Sequence, residues 1–331
     1  MPLASDLLDM VTAKPADQAW ASIIDHLWKE FSAEIPAAAA ADAVVIKRDR
    51  GLTELDNIIS GSSWDLWHDF ESVVPKASKA IVDFWTKTPG GKAVLILDGL
   101  SLREAPWLLE QAKQRGYKLH EAGVRGSELP AETTPFANSL GFGQRSSLEN
   151  NGAGSAHKLK GAFTVSCNLP WQECIDLVGS QEAVIFWHHW PDERLHTLDG
   201  PGAGLHKLTK EIHAGLTSDD FWLLIERLCT GRKLLITSDH GYAATGMFPD
   251  LTDKDQVGYM KSLFKSGRSS SEKVSDGSWV PPIDLRLTTD HGEHRYVLGR
   301  RKWKSAAGYP TLQHGGLSLL EVLVPMVVIS K

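Results

Sequence analysis

The stretch Ala93-Val94-Leu95-Ile96-Leu97-Asp98-Gly99 decides the fold. Five apolar residues run without polar alternation, as in a strand covered on both faces. Ala183–Trp187 and Leu234–Thr237 repeat the pattern, and Met326–Ile329 supplies a last strand. Helical patterns lie between them. Residues 103–115 form one, ended by Gly116; others cover 205–214 and 219–229, the latter with Ser218 as N-cap. Ser318 begins a short helix with Glu321 three residues on, a capping-box spacing, and Pro325 stops it. Strands alternating with helices predict an α/β fold, a doubly wound and mostly parallel sheet.

The first ninety residues read differently. Residues 17–34 and 65–87 carry Trp20, Ile23, Ile24, Leu27 and Trp28, then Trp67, Phe70, Val73, Val74, Ile81, Phe84 and Trp85, at helical spacing. Core packing accounts for this tryptophan density better than an aromatic binding platform does. Ala37–Ala41 is a low-complexity run, a connecting helix or a loop. The turn-rich break at 86–91 divides a helical region, 1–90, from a second unit, 91–331. The Gly/Ser-rich segments 143–160 and 265–280 read as mobile loops.

Composition narrows the function. The chain has 331 residues, 42% of them hydrophobic, enough for one large domain or two smaller ones. Its formal charge of −6 gives no global pull toward nucleic acid or anionic membrane. No run approaches the roughly 18 apolar residues of a membrane span. The start lacks a basic, then apolar, leader pattern, so a cytoplasmic setting is expected. Three cysteines without a CxxC pair argue against a disulfide framework or a thiolate zinc site. Thirteen histidines and 41 carboxylates can supply a nitrogen and oxygen site instead.

Glycine motifs mislead here. The segment 89–92 lacks the spacing of a phosphate loop and precedes a strand. Gly202 and Gly204 follow no strand, and 152–155 does not fit a nucleophile elbow. The residues after each apolar run are more informative, because an open parallel sheet gathers ligands beyond its strand carboxyl ends. They are Asp98-Gly99; His188-His189-Trp190-Pro191-Asp192, then His196; Ser238-Asp239-His240-Gly241; and, late in the chain, His314-Gly315-Gly316. Singly, each could be a turn or a solvated side chain. Together they offer the carboxylate and imidazole mixture that two divalent cations want.

These residues resemble the metal-ligand series of the alkaline phosphatase superfamily. The closer resemblance, over about 92–331, is to PglZ domains. It is carried by Asp98-Gly-Leu-Ser-Leu-Arg103, by Leu129-Pro130 with Thr133-Thr134-Pro135, by Ser238–Gly241, and by His314-Gly-Gly-Leu-Ser318 with Glu321 and Val324-Pro325. The resemblance implies a phosphohydrolase, a phosphodiesterase or phosphomonoesterase, with two divalent metals. Asp98, Asp239, His240 and Thr134 would hold one; Asp192, His196 and His314 the other. Zinc suits such ligands best, with manganese as the second choice. Thr134 would be the nucleophile, with Thr133 its competitor; metal coordination favours the alkoxide that a free hydroxyl lacks. His188 is a rival to His196 as ligand, with Asp192 as its partner. Arg103 is the first choice for binding the substrate anion, ahead of Arg125 and Arg145. His291 and His294 are outside candidates for the pocket.

The implied substrate is a phosphate ester or small nucleotide. PglZ proteins often belong to phage-defence systems of the BREX type, so other defence proteins are expected partners. Two alternatives stay open: a metal-bound interaction subunit with little catalysis, and a phosphoglycerate mutase-like isomerase.

Overall fold

A computed structural model describes residues 4–36, 39–154, 156–198, 204–247, 250–304 and 311–331. Its centre is a six-stranded sheet. The strands are β1 (Lys92–Leu97), β2 (Lys118–Gly126), β3 (Phe163–Cys167), β4 (Ala183–His188), β5 (Lys233–Thr237) and, last in the chain, Leu323–Ser330. Between β5 and that last strand come β6 (Ala243–Ala244), β7 (Ser269–Ser270), β8 (Asp284–Thr289), β9 (Gly292–Val297) and β10 (Leu312–Gln313), so Leu323–Ser330 is β11. The order is β2-β11-β5-β1-β4-β3. Strand β1 pairs parallel with β4 and β5, and β3 pairs parallel with β4. Strand β11 runs antiparallel to both its neighbours, the exception in a mostly parallel α/β sheet.

The two-sided burial of β1 can be read residue by residue. Ala93, Leu95 and Leu97 join the core under the helices Ala105–Gln114, Gly204–Thr217 and Asp219–Cys229. Val94 and Ile96 join the opposite core, with Ile81 and Trp85 of Ala77–Lys87 and Phe136 of Thr133–Leu140. Alternate residues of a strand face opposite ways, so an unbroken apolar run is what two covered faces require.

Several local expectations need correction. Ser318 does not cap its helix: its hydroxyl donates to Glu321, 2.6 Å away. Buried Arg268 also holds Glu321 through its Nε, at 2.6 Å. Pro325 lies inside β11, where it pairs with Val124 of β2; pairing to β5 begins only at Met326. A proline is tolerated where one side of the strand needs no donor. The segment 143–160 includes a 3-10 stretch, Arg145–Asn151, with Leu148 fully buried. In 265–280, Arg268 is buried. Ser218 does cap its helix, accepting from the Phe221 amide at 3.2 Å. Part of the alanine run, residues 37–38, lies outside the described residues.

The N-terminal helices Ala16–Ser32, Ala41–Gly51 and Thr53–Gly61 pack onto the sheet unit. Trp20, Ile23, Leu27 and Leu55 share a core with Leu102, Val124, Leu298 and Leu319. Buried charges cross the same boundary. Asp49 accepts from Arg103 and Arg300, and Arg300 also pairs with Asp56, all essentially without solvent exposure. Among the described residues, no helix is long and apolar enough to cross a membrane.

Candidate metal centre

Three strand ends bring the expected side chains to one edge. Asp98 follows β1, Asp192 lies four residues beyond β4, and Asp239 and His240 follow β5. Backbone bonds fix the loops to one another. The Asp98 amide donates to the His188 carbonyl at 3.0 Å, and the Asp192 amide donates to the Asp98 carbonyl at 2.9 Å. The Gly99 amide donates to Asp239 Oδ1 at 3.1 Å. Gly99 has φ +75°, and a Cβ there would stand 3.1 Å from the Asp192 Cβ. Only glycine accepts that backbone and that approach without strain.

The ligand atoms form two adjoining groups. In the first, His240 Nε2 lies 3.5 Å from Asp98 Oδ1 and 3.6 Å from Asp239 Oδ2. All three residues are fully buried. In the second, Asp192 Oδ2 lies 3.2 Å from His196 Nε2, and Asp192 Oδ1 lies 3.6 Å from His314 Nε2. The two imidazole Nε2 atoms stand 3.4 Å apart. His240 also stacks on His314, with ring centroids 4.1 Å apart, so the two groups touch.

These residues fit divalent cations. Ligands about 2.0–2.1 Å from a tetrahedral zinc stand roughly 3.3 Å from one another, close to the separations found here. Asp192 Oδ1, Asp239 Oδ2 and His240 Nε2 are buried without a hydrogen-bond partner, a costly arrangement unless a cation satisfies them. Buried His240 and half-buried His314 are both aimed by backbone carbonyls. His240 Nδ1 donates to Gly241 O at 3.0 Å, and His314 Nδ1 donates to Ala131 O at 3.3 Å, leaving each Nε2 toward the group. Such carbonyl partners commonly fix the tautomer of a metal-binding histidine.

The electrostatics are those of crowded anions. Burial raises Asp98 well above the ordinary carboxylate range, and Asp239 and Asp192 raise it further. Burial works against a charged His240, but Asp239, Asp98 and Asp192 outweigh it and lift the imidazole to about 9. His314 moves the other way, to about 4, through burial and the neighbouring His240. For Asp192, burial is opposed by the His196 hydrogen bond and by the charges of His240 and His314, which hold it below its usual value.

The remaining sequence candidates divide clearly. It is Thr133 that meets the centre: its Oγ1 lies 3.4 Å from each Asp98 carboxylate oxygen. Thr134 is exposed. Thr133 is the first residue of the helix, and successive helical side chains diverge by about 100°, so both threonines cannot face one spot. His188 is withdrawn from the centre, its Nε2 donating to Leu169 O at 2.9 Å and its Nδ1 accepting from the Trp190 amide at 3.1 Å. Arg103 is engaged away from the centre. Its buried guanidinium is held by Asp49 at 2.6 Å and by Tyr242 O at 2.7 Å. Arg125 pairs with Glu121 on the outer strand β2.

Arg145 reaches the centre instead, with its guanidinium against Asp98. The position of Leu148, an apolar anchor within a polar stretch, was the signal that this segment is held. His291 contacts Ser139 at 3.1 Å and Glu128 at 3.4 Å. His294 lies on β9, its ring centroid 6.1 Å from that of Tyr296.

No protein-family model and no curated protein matches this chain. Solved structures similar to it include murine ectonucleotide pyrophosphatase/phosphodiesterase 5 as an inactive form in complex with AMP. That similarity has a TM-score of 0.44 and 10% identity, covering 72% of this chain and 87% of that one. A second structure of the murine protein gives 0.43 and 11%, covering 72% and 88%. The human counterpart gives 0.44 and 10%, covering 72% and 87%.

Proposed function

We propose that this chain is a metal-dependent phosphohydrolase of alkaline phosphatase type, with Thr133 as its nucleophile. The observation that supports this reading is the Thr133 hydroxyl beside Asp98, within a cluster whose buried polar atoms lack partners. Asp98, Asp239 and His240, with the Thr133 oxygen, would hold one divalent cation; Asp192, His196 and His314 would hold the other. The cations, once bound, would favour the threonine alkoxide and offset charge on an ester's attacking and leaving oxygens. Zinc suits the donor set, with manganese next.

The chain's own residues then have separable tasks. The helix beginning at Thr133 presents the hydroxyl. Arg145, half-buried beside Asp98, is placed to meet a substrate phosphate by charge-assisted hydrogen bonding. Asp192 Oδ2 and His196 Nε2, 3.2 Å apart, are spaced as two ligands of one cation would be. Attack by Thr133 on phosphorus would break the ester P–O bond, release the alcohol and give a phosphothreonine; water would then displace Thr133 and free the phosphate. The PglZ resemblance guides the setting we propose: phosphate esters or small nucleotides as substrates, in a cytoplasmic defence assembly.

Hydrolysis of p-nitrophenyl phosphate and its bis-ester by the zinc- or manganese-loaded chain tests the assignment. Thr133→Ala is expected to abolish turnover, while Thr134→Ala retains it. Loss only in Thr134→Ala would reverse the nucleophile assignment. A wild-type chain that binds metal yet hydrolyses neither ester would favour the interaction-subunit reading.

A further inference from the structure

Cys167 ends β3 and Cys174 lies in the helix Trp171–Asp176, with six residues between them. Their Sγ atoms stand 3.7 Å apart, and both are free thiols. We propose that Cys167 and Cys174 are a redox-active dithiol that closes to an intramolecular disulfide when the chain meets a small-molecule disulfide. A disulfide has an S–S length near 2.05 Å, so the sulfurs have about 1.7 Å to travel. The loop between them is short, and the two groups already face each other.

Two other readings of the pair are weaker. With His188 nearby, the sulfurs make a possible soft-metal site. Yet His188 has no lone pair to give. Its Nδ1 accepts from the Trp190 amide and its Nε2–H donates to the Leu169 carbonyl. Burial drives its pKa to about 4, and Trp171 packs over the ring with centroids 4.2 Å apart. Two sulfurs without a third ligand favour oxidation over metal capture. Plain core packing explains Cys174, which is fully buried; Cys167 packs against the same core but is partly exposed at the strand end, open to an oxidant.

The pair is also asymmetric in the way exchange requires. Cys167 is partly exposed, whereas Cys174 is buried with its S–H donating to the Leu169 carbonyl at 3.3 Å, and the sulfur–sulfur contact holds the Cys167 thiol below its ordinary value. That same contact, with burial, pushes Cys174 up. The thiolate is the nucleophile in exchange, so Cys167 attacks first. Its sulfur bonds to one sulfur of the oxidant and expels the other as a thiolate. Cys174 then gives up its proton and attacks Cys167 Sγ, releasing the second half of the oxidant. Two thiols are oxidised by two electrons, and the oxidant is reduced to two thiols.

The disulfide would tether a segment packed behind the metal-ligand loop. The Cys167 carbonyl accepts from the His189 amide at 3.0 Å, and Asn168 donates to Glu193 at 3.1 Å. Those partners lie three residues before and one residue after Asp192 in the chain.

The test is incubation of the full folded chain with excess glutathione disulfide, alkylation with N-ethylmaleimide after denaturation, and intact-mass measurement. The reduced chain has three alkylatable cysteines. Oxidation is expected to leave one, Cys229, with the protein two hydrogens lighter and monomeric. Cys174→Ser is expected to stop at a glutathione adduct on Cys167, and Cys167→Ser to keep both remaining thiols. Three alkylations of the oxidised wild type, or a stable glutathione adduct on it, would overturn the proposal. So would disulfide-linked dimers. None of these readouts depends on the metal centre.

Discussion

Asp49→Ala tests how the N-terminal helices are fastened to the unit that carries the centre. Asp49 Oδ1 accepts from Arg103 Nε at 3.1 Å and Nη2 at 2.6 Å. Arg300 Nη1 reaches Oδ1 at 3.0 Å and Oδ2 at 2.9 Å. All three side chains have zero exposure. Alanine removes the carboxylate and leaves both guanidinium groups in place. Arg300 keeps Asp56 at 2.8 Å. Arg103 keeps the Tyr242 carbonyl, and the Tyr242 ring 4.5 Å away. Neither substitute restores a shared anion. Removing one partner of a buried ion pair costs about 3–5 kcal/mol, because the other charge stays desolvated. Since two cations lose a common partner, the upper half of that range is expected, with a melting temperature lower by roughly 6–7 °C. Asp49→Asn keeps the shape and one acceptor oxygen, so its loss should be smaller. Urea unfolding followed by tryptophan fluorescence measures both variants. A loss under about 1 kcal/mol for Asp49→Ala would put the network in the class of solvated surface pairs and refute the reasoning.

Metal uptake should expel protons. The site needs His240 Nε2 unprotonated, yet its neighbours lift the metal-free imidazole to about 9 and burial raises Asp98. Zinc titration calorimetry at pH 7.5 in two buffers of different ionisation enthalpy should therefore give different heats; equal heats would contradict the assigned ligand. Affinity should also rise with pH toward about 9. Gly99→Ala should cost about 1–2 kcal/mol for its left-handed backbone. It should also weaken metal binding, since its Cβ meets Asp192; unaltered metal content and stability would count against the packing described. Glu104 is buried, and desolvation lifts it to about 7 despite Arg103 and the Tyr242 hydrogen bond. A raised carboxyl contributes stability fully present below its unfolded pKa, near 4.5, and lost as pH rises through 7. The stability of wild type minus that of Glu104→Gln should thus fall between those pH values; a flat difference would refute the shift.

The parts legible in the sequence were those that local pattern dictates. Strands β1, β4 and β5 are continuous apolar runs because both faces are covered, and the candidate ligands follow because a parallel sheet ends its strands on one edge. Asp98, Asp192, Asp239 and His240 could be gathered from that rule; His314 lies outside it, behind a two-residue strand of a separate antiparallel pair. Strand β2 could not. It is an outer strand whose first four residues are exposed, so no apolar run marks it. The hairpin β8–β9 carries a faint period of two, with Leu285 and Leu287 buried and Arg286 exposed, but its charged residues mask the signal.

Arg103 and the two threonines mark where such reading stops. An arginine five residues after a candidate ligand looks poised for an anionic substrate, and nothing local says otherwise. What removes it is Asp49, 54 positions upstream, in a helix with no obvious tie to the sheet. A buried ion pair is specified by two distant elements arriving together, which spacing along one of them does not encode. The threonine problem is smaller in distance but similar in kind. Thr133 and Thr134 have the same chemistry and adjoin each other in the sequence. Their difference is an angle of about 100° around a helix axis, fixed by how Phe136, Ala137 and Leu140 settle into the core beneath β1. The core therefore decides which hydroxyl faces Asp98. A volume change at Phe136, remote from any ligand, should disturb Thr133 before it disturbs Asp98, whose strand is held from both sides.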